Sequence, residues 1–222
     1  MSGRTALLVG ATGLVGGHCL ERLLAEPAYT SVTVLARRTS GHREKRLDER
    51  VVDFASLTAD DVPPADDVYC ALGTTMAKAG SKEAFRVVDH DHVLTVAEFA
   101  RAAGATRFAL VSSIGADPDA RAFYLRVKGE TERDVGLLGY ECLEVFRPSG
   151  LLGERADRRL AEKLSIPLLR VVSGALVGPL RPYRAVGAGT VASAMVAALL
   201  AGEKGIRVRT HDDIQALATA GS

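Results

Sequence analysis

Apolar residues fall along this chain in two alternating rhythms, short continuous runs and longer stretches spaced by three or four. The run at 5–9 is followed by glycines and then by residues 14–25, whose apolar positions recur at helical spacing. Residues 31–36 are β-rich and predict a second strand. A polar, basic connection over 37–50 leads to a short third strand at Val51 and Val52, and 67–72 predicts a fourth. Residues 81–103 carry Phe85, Val88, Val93, Val96, Ala97 and Ala100 at helical spacing and stop at Gly104, a residue suited to closing a helix. Residues 107–111, 120–138 and 143–146 predict strand, helix and strand. From Arg155 onward the rhythm loosens, to a helix around 158–164, an alanine-rich helix at 189–200 and a short strand at 206–209.

Strands alternating with helices of about ten residues or more imply βαβ units and a parallel sheet. Right-handed crossovers then favour a doubly wound α/β sheet with helices on both faces. No repeat or linker divides the chain, which reads as a single domain over 1–222. Its core is expected at about 4–152, with 153–222 closing the substrate side. Of 222 residues 47% are hydrophobic and 25% charged, the make-up of an ordinary globular domain. A net charge of +1 argues against a nucleic-acid partner. The most apolar stretch, 191–201, is about half the length a membrane span requires and contains Ser193, so a core helix is expected and no membrane partner. No signal peptide precedes the first apolar run. Cys19, Cys70 and Cys142 lack CxxC spacing and read as buried, reduced thiols, which with the missing signal predicts a cytoplasmic protein.

Candidate chemistry begins at Gly10-Ala11-Thr12-Gly13-Leu14-Val15-Gly16, between the first strand and the first helix. Gly10 leaves the strand, Gly13 lets backbone approach a pyrophosphate, and Gly16 lets the helix pack on the sheet. The helix start supplies N–H groups and a dipole for the anion. The second strand ends in Arg37 and Arg38 rather than in the acidic residue that holds the ribose hydroxyls of NAD. Guanidinium groups complement the extra 2′-phosphate of NADP, so NADP(H) is expected in preference to NAD(H). Asp53, just after the third strand, is placed to meet the adenine.

Tyr124 and Lys128 lie four apart on a predicted helix and therefore share a face. A phenol is a poor acid–base at neutral pH, and a neighbouring ammonium stabilises its phenolate. Ser112 and Ser113 end the fifth strand at the edge where such sheets bind ligands, and a hydroxyl there can polarise a carbonyl. Asp89-His90-Asp91-His92 resembles a metal cluster. Neighbours on a helix point apart, however, so it reads as a polar helix face and no metal site is expected.

These features together resemble the short-chain dehydrogenases/reductases, in their atypical, extended-like branch, over most of residues 5–152. Within that branch Cys70-Ala71-Leu72-Gly73-Thr74-Thr75, Lys78-Ala79-Gly80, the segment 124–130 and Phe146-Arg147-Pro148 are similar to the HIV Tat-interactive-protein-like oxidoreductases. The resemblance implies a Rossmann fold, bound NADP(H), Tyr124 as proton donor or acceptor and Lys128 as its partner. It also implies that Thr12, Gly13, Leu14, Val15, Arg37, Arg38, Leu72, Gly73 and Leu151 touch the cofactor, with Arg159 a looser match. One serine of the pair assists catalysis; Ser113, the more C-terminal, is favoured and Ser112 stays open. The strand-four segment Ala71-Leu72-Gly73 departs from the wider family in lacking its asparagine motif. Little chain follows Lys128, which argues against a nucleotide-sugar substrate. The function implied is hydride transfer to or from a small carbonyl or alcohol. The alternative is an NADP(H)-binding, redox-sensing regulator that acts through a protein partner. A homodimer is expected by analogy.

Overall fold

The computed structural model describes residues 3–152 and 184–221. The helix predicted around 158–164, and Arg159 with it, lie outside them. In chain order the first half comprises β1 (Arg4–Val9), α1 (Leu14–Ala25), β2 (Tyr29–Ala36), β3 (Leu47–Val51), β4 (Asp67–Cys70), α2 (Met76–Ala79) and α3 (Lys82–Arg86). A π-helical turn at Val87–Asp91 joins α3 to α4 (His92–Ala102), and β5 (Arg107–Val111), α5 (Phe123–Gly136) and β6 (Cys142–Phe146) follow. Then come β7 (Leu151–Leu152), β8 (Val186–Gly187), α6 (Ala188–Ala201), β9 (Gly205–Arg209) and α7 (His211–Ala220).

Seven strands form one sheet in the order β3-β2-β1-β4-β5-β6-β9, every neighbouring pair parallel. The chain winds outward from β1 in one direction and from β4 in the other, which is the doubly wound, Rossmann-type topology expected from the alternation. Successive side chains of β1 enter opposite layers. Ala6 and Leu8 pack beneath α1, α6 and α7, while Leu7 and Val9 pack beneath α4 and the end of α5. At the amino end of the sheet, Asp67 is fully buried and accepts from Tyr29 Oη at 2.6 Å and from Arg107, with Tyr69 Oη 2.6 Å from Tyr29 Oη. This polar knot lies at the end of the strands opposite to the glycine turn.

Two predicted elements differ, and others are added. The third strand is at 47–51 rather than at Val51 and Val52. It is an edge strand whose Asp48, Glu49 and Arg50 hide its β character, the charged dress that protects an unpaired edge. The helix predicted over 81–103 is interrupted by the π-turn, and α7 and the β7–β8 pair add elements absent from the apolar rhythm. Among the described residues no helix is long and apolar enough to cross a membrane.

Candidate active site

The strand order reverses between β1 and β4, and there the carboxyl ends of the two strands part into a crevice. Gly10 leaves β1 at φ +87°, where a Cβ would lie 2.5 Å from the Ala71 carbonyl at the end of β4. A Cβ on Gly16 would lie 2.1 Å from the Gly10 carbonyl oxygen, so the first turn of α1 is pressed onto the loop that precedes it. The N-cap of α1 is Gly13, with no side-chain cap. The N–H groups of its first turn are therefore left to an outside anion, which the helix dipole also favours.

A cleft of about 210 Å³ lies beside this turn. Of the residues expected from sequence, Gly10, Thr12, Gly13, Arg37, Arg38, Leu72 and Gly73 line it, and Phe54, Lys78, Val88 and His92 join them. A hollow of about 520 Å³ runs between the start of α1 and the segment from Arg38 to His42, and Leu14 lines it. Arg37 and Arg38 are exposed at the rim, and among the described residues neither makes a hydrogen bond or ion pair. Two other arginines of the same connection, Arg46 and Arg50, are committed, whereas Arg43 is exposed like the pair. Arg46 donates to the carbonyls of Glu26 at 3.2 Å and Tyr29 at 2.6 Å, and Arg50 pairs with Asp48 at 2.9 Å.

The remaining predicted cofactor residues sit apart from the lining. Val15 and Gly16 are buried under the turn, and Leu151 pairs in β7 with Val186. The Asp53 carboxylate turns onto the Ala55 N–H at 3.0 Å, and its neighbour Phe54 supplies the wall instead, stacked on His92 with centroids 5.8 Å apart. Burial at this wall holds the His92 imidazole below its ordinary range.

Tyr124 and Lys128 stand one turn apart on α5. The Tyr124 ring is half-buried against Phe85, with centroids 5.4 Å apart, and the Lys128 side chain is only 8% exposed. Lys128 meets the cleft wall at Gly73, where a Cβ would lie 3.7 Å from Nζ. The two serines differ in their partners. Ser112 Oγ donates to Glu132 on α5, and Arg147 beyond β6 grips the same carboxylate through Nε at 3.0 Å and Nη2 at 2.5 Å. Among the described residues the Ser113 hydroxyl has only a long contact of 3.4 Å, to the Ile114 carbonyl. Both serines are buried, and of the pair Ser113 has the looser hydrogen bond.

The polar-face reading of residues 89–92 is corrected, because Asp89 and His90 are buried. The widened π-turn rotates them inward, and their side chains go separate ways. Asp89 meets Lys128 at 2.7 Å, His90 sits between Asp91 at 2.7 Å and Asp134 at 2.9 Å, and His92 faces Phe54. The sequence held one signal for Asp89, since it falls four residues from both Phe85 and Val93 on the apolar stripe. Phe54 carries no comparable signal, while Lys78 stands in a segment of the resemblance and His92 in the cluster read as a polar face, neither marked as cleft wall. The three cysteines are free and buried, and burial pushes the Cys70 thiol up to about 12 and that of Cys142 up to about 11, so these two are neutral and poor nucleophiles.

Fold and site together define a dinucleotide-type α/β domain, and comparison with known proteins names its kin. The chain belongs to the NAD(P)H-binding family, whose match spans residues 10–135. It is 39% identical over 172 residues to Protein HTATIP2 of Rattus norvegicus, covering 74% of this chain and 70% of that one. It is 38% identical over 177 residues to the mitochondrial protein fmp52 of Emericella nidulans, covering 76% and 74%. Among solved structures it is similar to a UDP-N-acetylglucosamine 4-epimerase from Methanobrevibacter ruminantium M1, with a TM-score of 0.69, 14% identity, and 95% and 77% coverage. At that identity the likeness shows the fold alone. The expectation of a cytoplasmic protein is overturned by the fungal relatives, which are named as mitochondrial proteins.

Proposed function

We propose that this protein is an NADP(H)-dependent oxidoreductase that interconverts a small carbonyl compound and its alcohol. The observation that carries the reading is the pair of uncommitted guanidiniums, Arg37 and Arg38, beside an uncapped glycine turn. Such a pair supports recognition of a 2′-phosphate, because both groups retain their full set of donors for it. When bound, the nicotinamide supplies or takes the hydride at the carbonyl carbon. Tyr124 then delivers the proton to the carbonyl oxygen in reduction and takes it back in oxidation. The Lys128 ammonium favours the phenolate that remains. Ser113, the serine without a strong internal partner, donates a hydrogen bond to the carbonyl oxygen as charge builds there. The names of the fungal relatives support a mitochondrial setting for this chemistry.

The test is NADPH consumption over a panel of small aldehydes and ketones, in wild type and Tyr124→Phe. Loss of the proton donor is expected to lower turnover by about 10²- to 10⁴-fold while NADPH affinity stays nearly intact. Turnover unchanged in Tyr124→Phe would sink the assignment of roles. Tight NADPH binding without turnover of any carbonyl would favour a redox-sensing regulator instead.

A further inference from the structure

Asp89 has no part in the chemistry above, yet its side chain is 1% exposed and three contacts converge on it. Its Oδ1 lies 2.7 Å from Lys128 Nζ, an ion pair without a well-aligned hydrogen bond. Its Oδ2 accepts the Thr74 N–H at 2.8 Å, and its backbone carbonyl accepts from Thr131 Oγ1 at 2.9 Å. Asp89 lies within the π-turn and shares one buried face with Phe85 and Val93. A Cβ on Gly73 would come within 3.3 Å of Oδ1 as well as near Nζ, so the pair lies against the wall of the cleft. A larger residue at position 73 would crowd the ion pair.

We propose that Asp89 is a positioning residue of the site, fixing Lys128 in place and in its charged form and tying it to the Leu72-Gly73-Thr74 wall. This rests on the roles assigned above to Tyr124 and Lys128. Burial penalises an ammonium, and a lysine this enclosed without a counter-charge surrenders its proton readily. A neutral Lys128 would exert no field on the Tyr124 phenolate. A carboxylate at 2.7 Å opposes that loss, and its anchor on the Thr74 amide stops it from following the lysine into alternative positions. The titratable and charged groups around the pair are few. Cys70 on β4 is a neutral thiol, Tyr124 stands one turn away on α5, and the flanks carry two pairs, Arg86 with Glu130 and His90 with Asp134.

The test is the titration of Lys128 followed by NMR in protein carrying isotope-labelled lysine, its signal assigned by its absence in Lys128→Met. In Asp89→Asn the midpoint is expected to fall relative to wild type, because the counter-charge 2.7 Å away is removed. For a carbonyl that wild type reduces, the basic limb of the kcat profile moves down with it, so the variant regains activity as pH falls. A merely structural defect would instead lower activity evenly across pH. An unchanged Lys128 midpoint in folded Asp89→Asn overturns the proposal, whether or not a carbonyl is turned over. Full turnover by Tyr124→Phe overturns the catalytic reading instead and leaves the lysine titration as it was, so the two failures are distinguishable. If Asp89→Asn does not fold, Lys128→Met tests the pair from the other side. The Asp89 carboxyl, deprived of its counter-charge, is expected to titrate higher than in wild type, and no change there overturns the proposal.

Discussion

Ser112 and Ser113 are neighbours in sequence whose hydroxyls have different work, and single substitutions separate them. Removing the Ser112 hydroxyl leaves the buried Glu132 carboxylate, 9% exposed, short of a donor. Ser112→Ala is therefore expected to cost about 1–3 kcal/mol of stability in urea denaturation, because a hydrogen bond to a charged acceptor is lost while Arg147 still holds the carboxylate. Ser113→Ala is expected to leave stability within about 0.5 kcal/mol and to lower turnover by about 10²-fold or more. The reverse pattern would make Ser112 the catalytic serine. His92 offers a second single-residue test. Its folded-state pKa lies below the unfolded value, so charging it costs more in the native protein. Its contribution to stability is present above the ordinary imidazole range and is lost as pH falls through and below it. His92→Phe keeps a ring on Phe54 and removes the titration. Between about pH 7.5 and 5.5 its stability is expected to fall less than that of wild type, and equal slopes would count against a buried His92. Sequence named Arg37, Arg38, Tyr124 and Lys128 because a motif placed them. It did not give Asp53 its turn onto Ala55 or Ser112 its bond to Glu132, because those partners arise only once distant elements pack.

Whole elements were legible where periodicity and burial agree. α1 at 14–25 and β5 at 107–111 match their predicted bounds, since each buries an apolar stripe or run in full. β3 was misplaced because an edge strand alternates with charge, and the π-turn was invisible because it changes the period within one helix. α7 had a readable start in Thr210 and Asp213, whose side chains form a capping box, with the Thr210 N–H donating to Asp213 at 2.9 Å. The junction of β1 and α1 gives the element-scale prediction. Gly16→Ala drives a Cβ into the Gly10 carbonyl, and neither backbone has room to yield. The substitution is expected to destabilise by about 1–3 kcal/mol and to weaken NADPH binding sharply, because the turn and the N–H groups behind it move together. A variant with wild-type stability and affinity would show that the turn is not rigid.

Across the molecule, the order of strands decides where chemistry sits. The reversal at β1 and β4 sets the glycine turn and the Leu72–Gly73 wall side by side, while the Asp67 knot holds the far end of the same strands. Strand–helix alternation was enough to read that architecture, because a parallel sheet with short loops leaves few topologies open. The compartment was not readable that way: buried, reduced thiols are equally compatible with an organelle interior, and only relatives spoke to it. On the proposed reading, cofactor choice is likewise a property of the whole rim, where Arg37 and Arg38 border the cleft and Arg38 also borders the hollow beside α1.

The most direct measurement is a side-by-side fluorescence titration of the purified apo protein with NADPH and NADH. NADPH is expected to bind about tenfold or more tightly than NADH, the difference of about 1.4 kcal/mol or more that charge-assisted bonds from two arginines supply to the 2′-phosphate. That preference should disappear when Arg37 and Arg38 are both replaced by alanine. Equal affinity for the two nucleotides, or a preference for NADH, would contradict the role given to the arginines and leave the fold standing. Binding of neither would contradict the functional account as a whole.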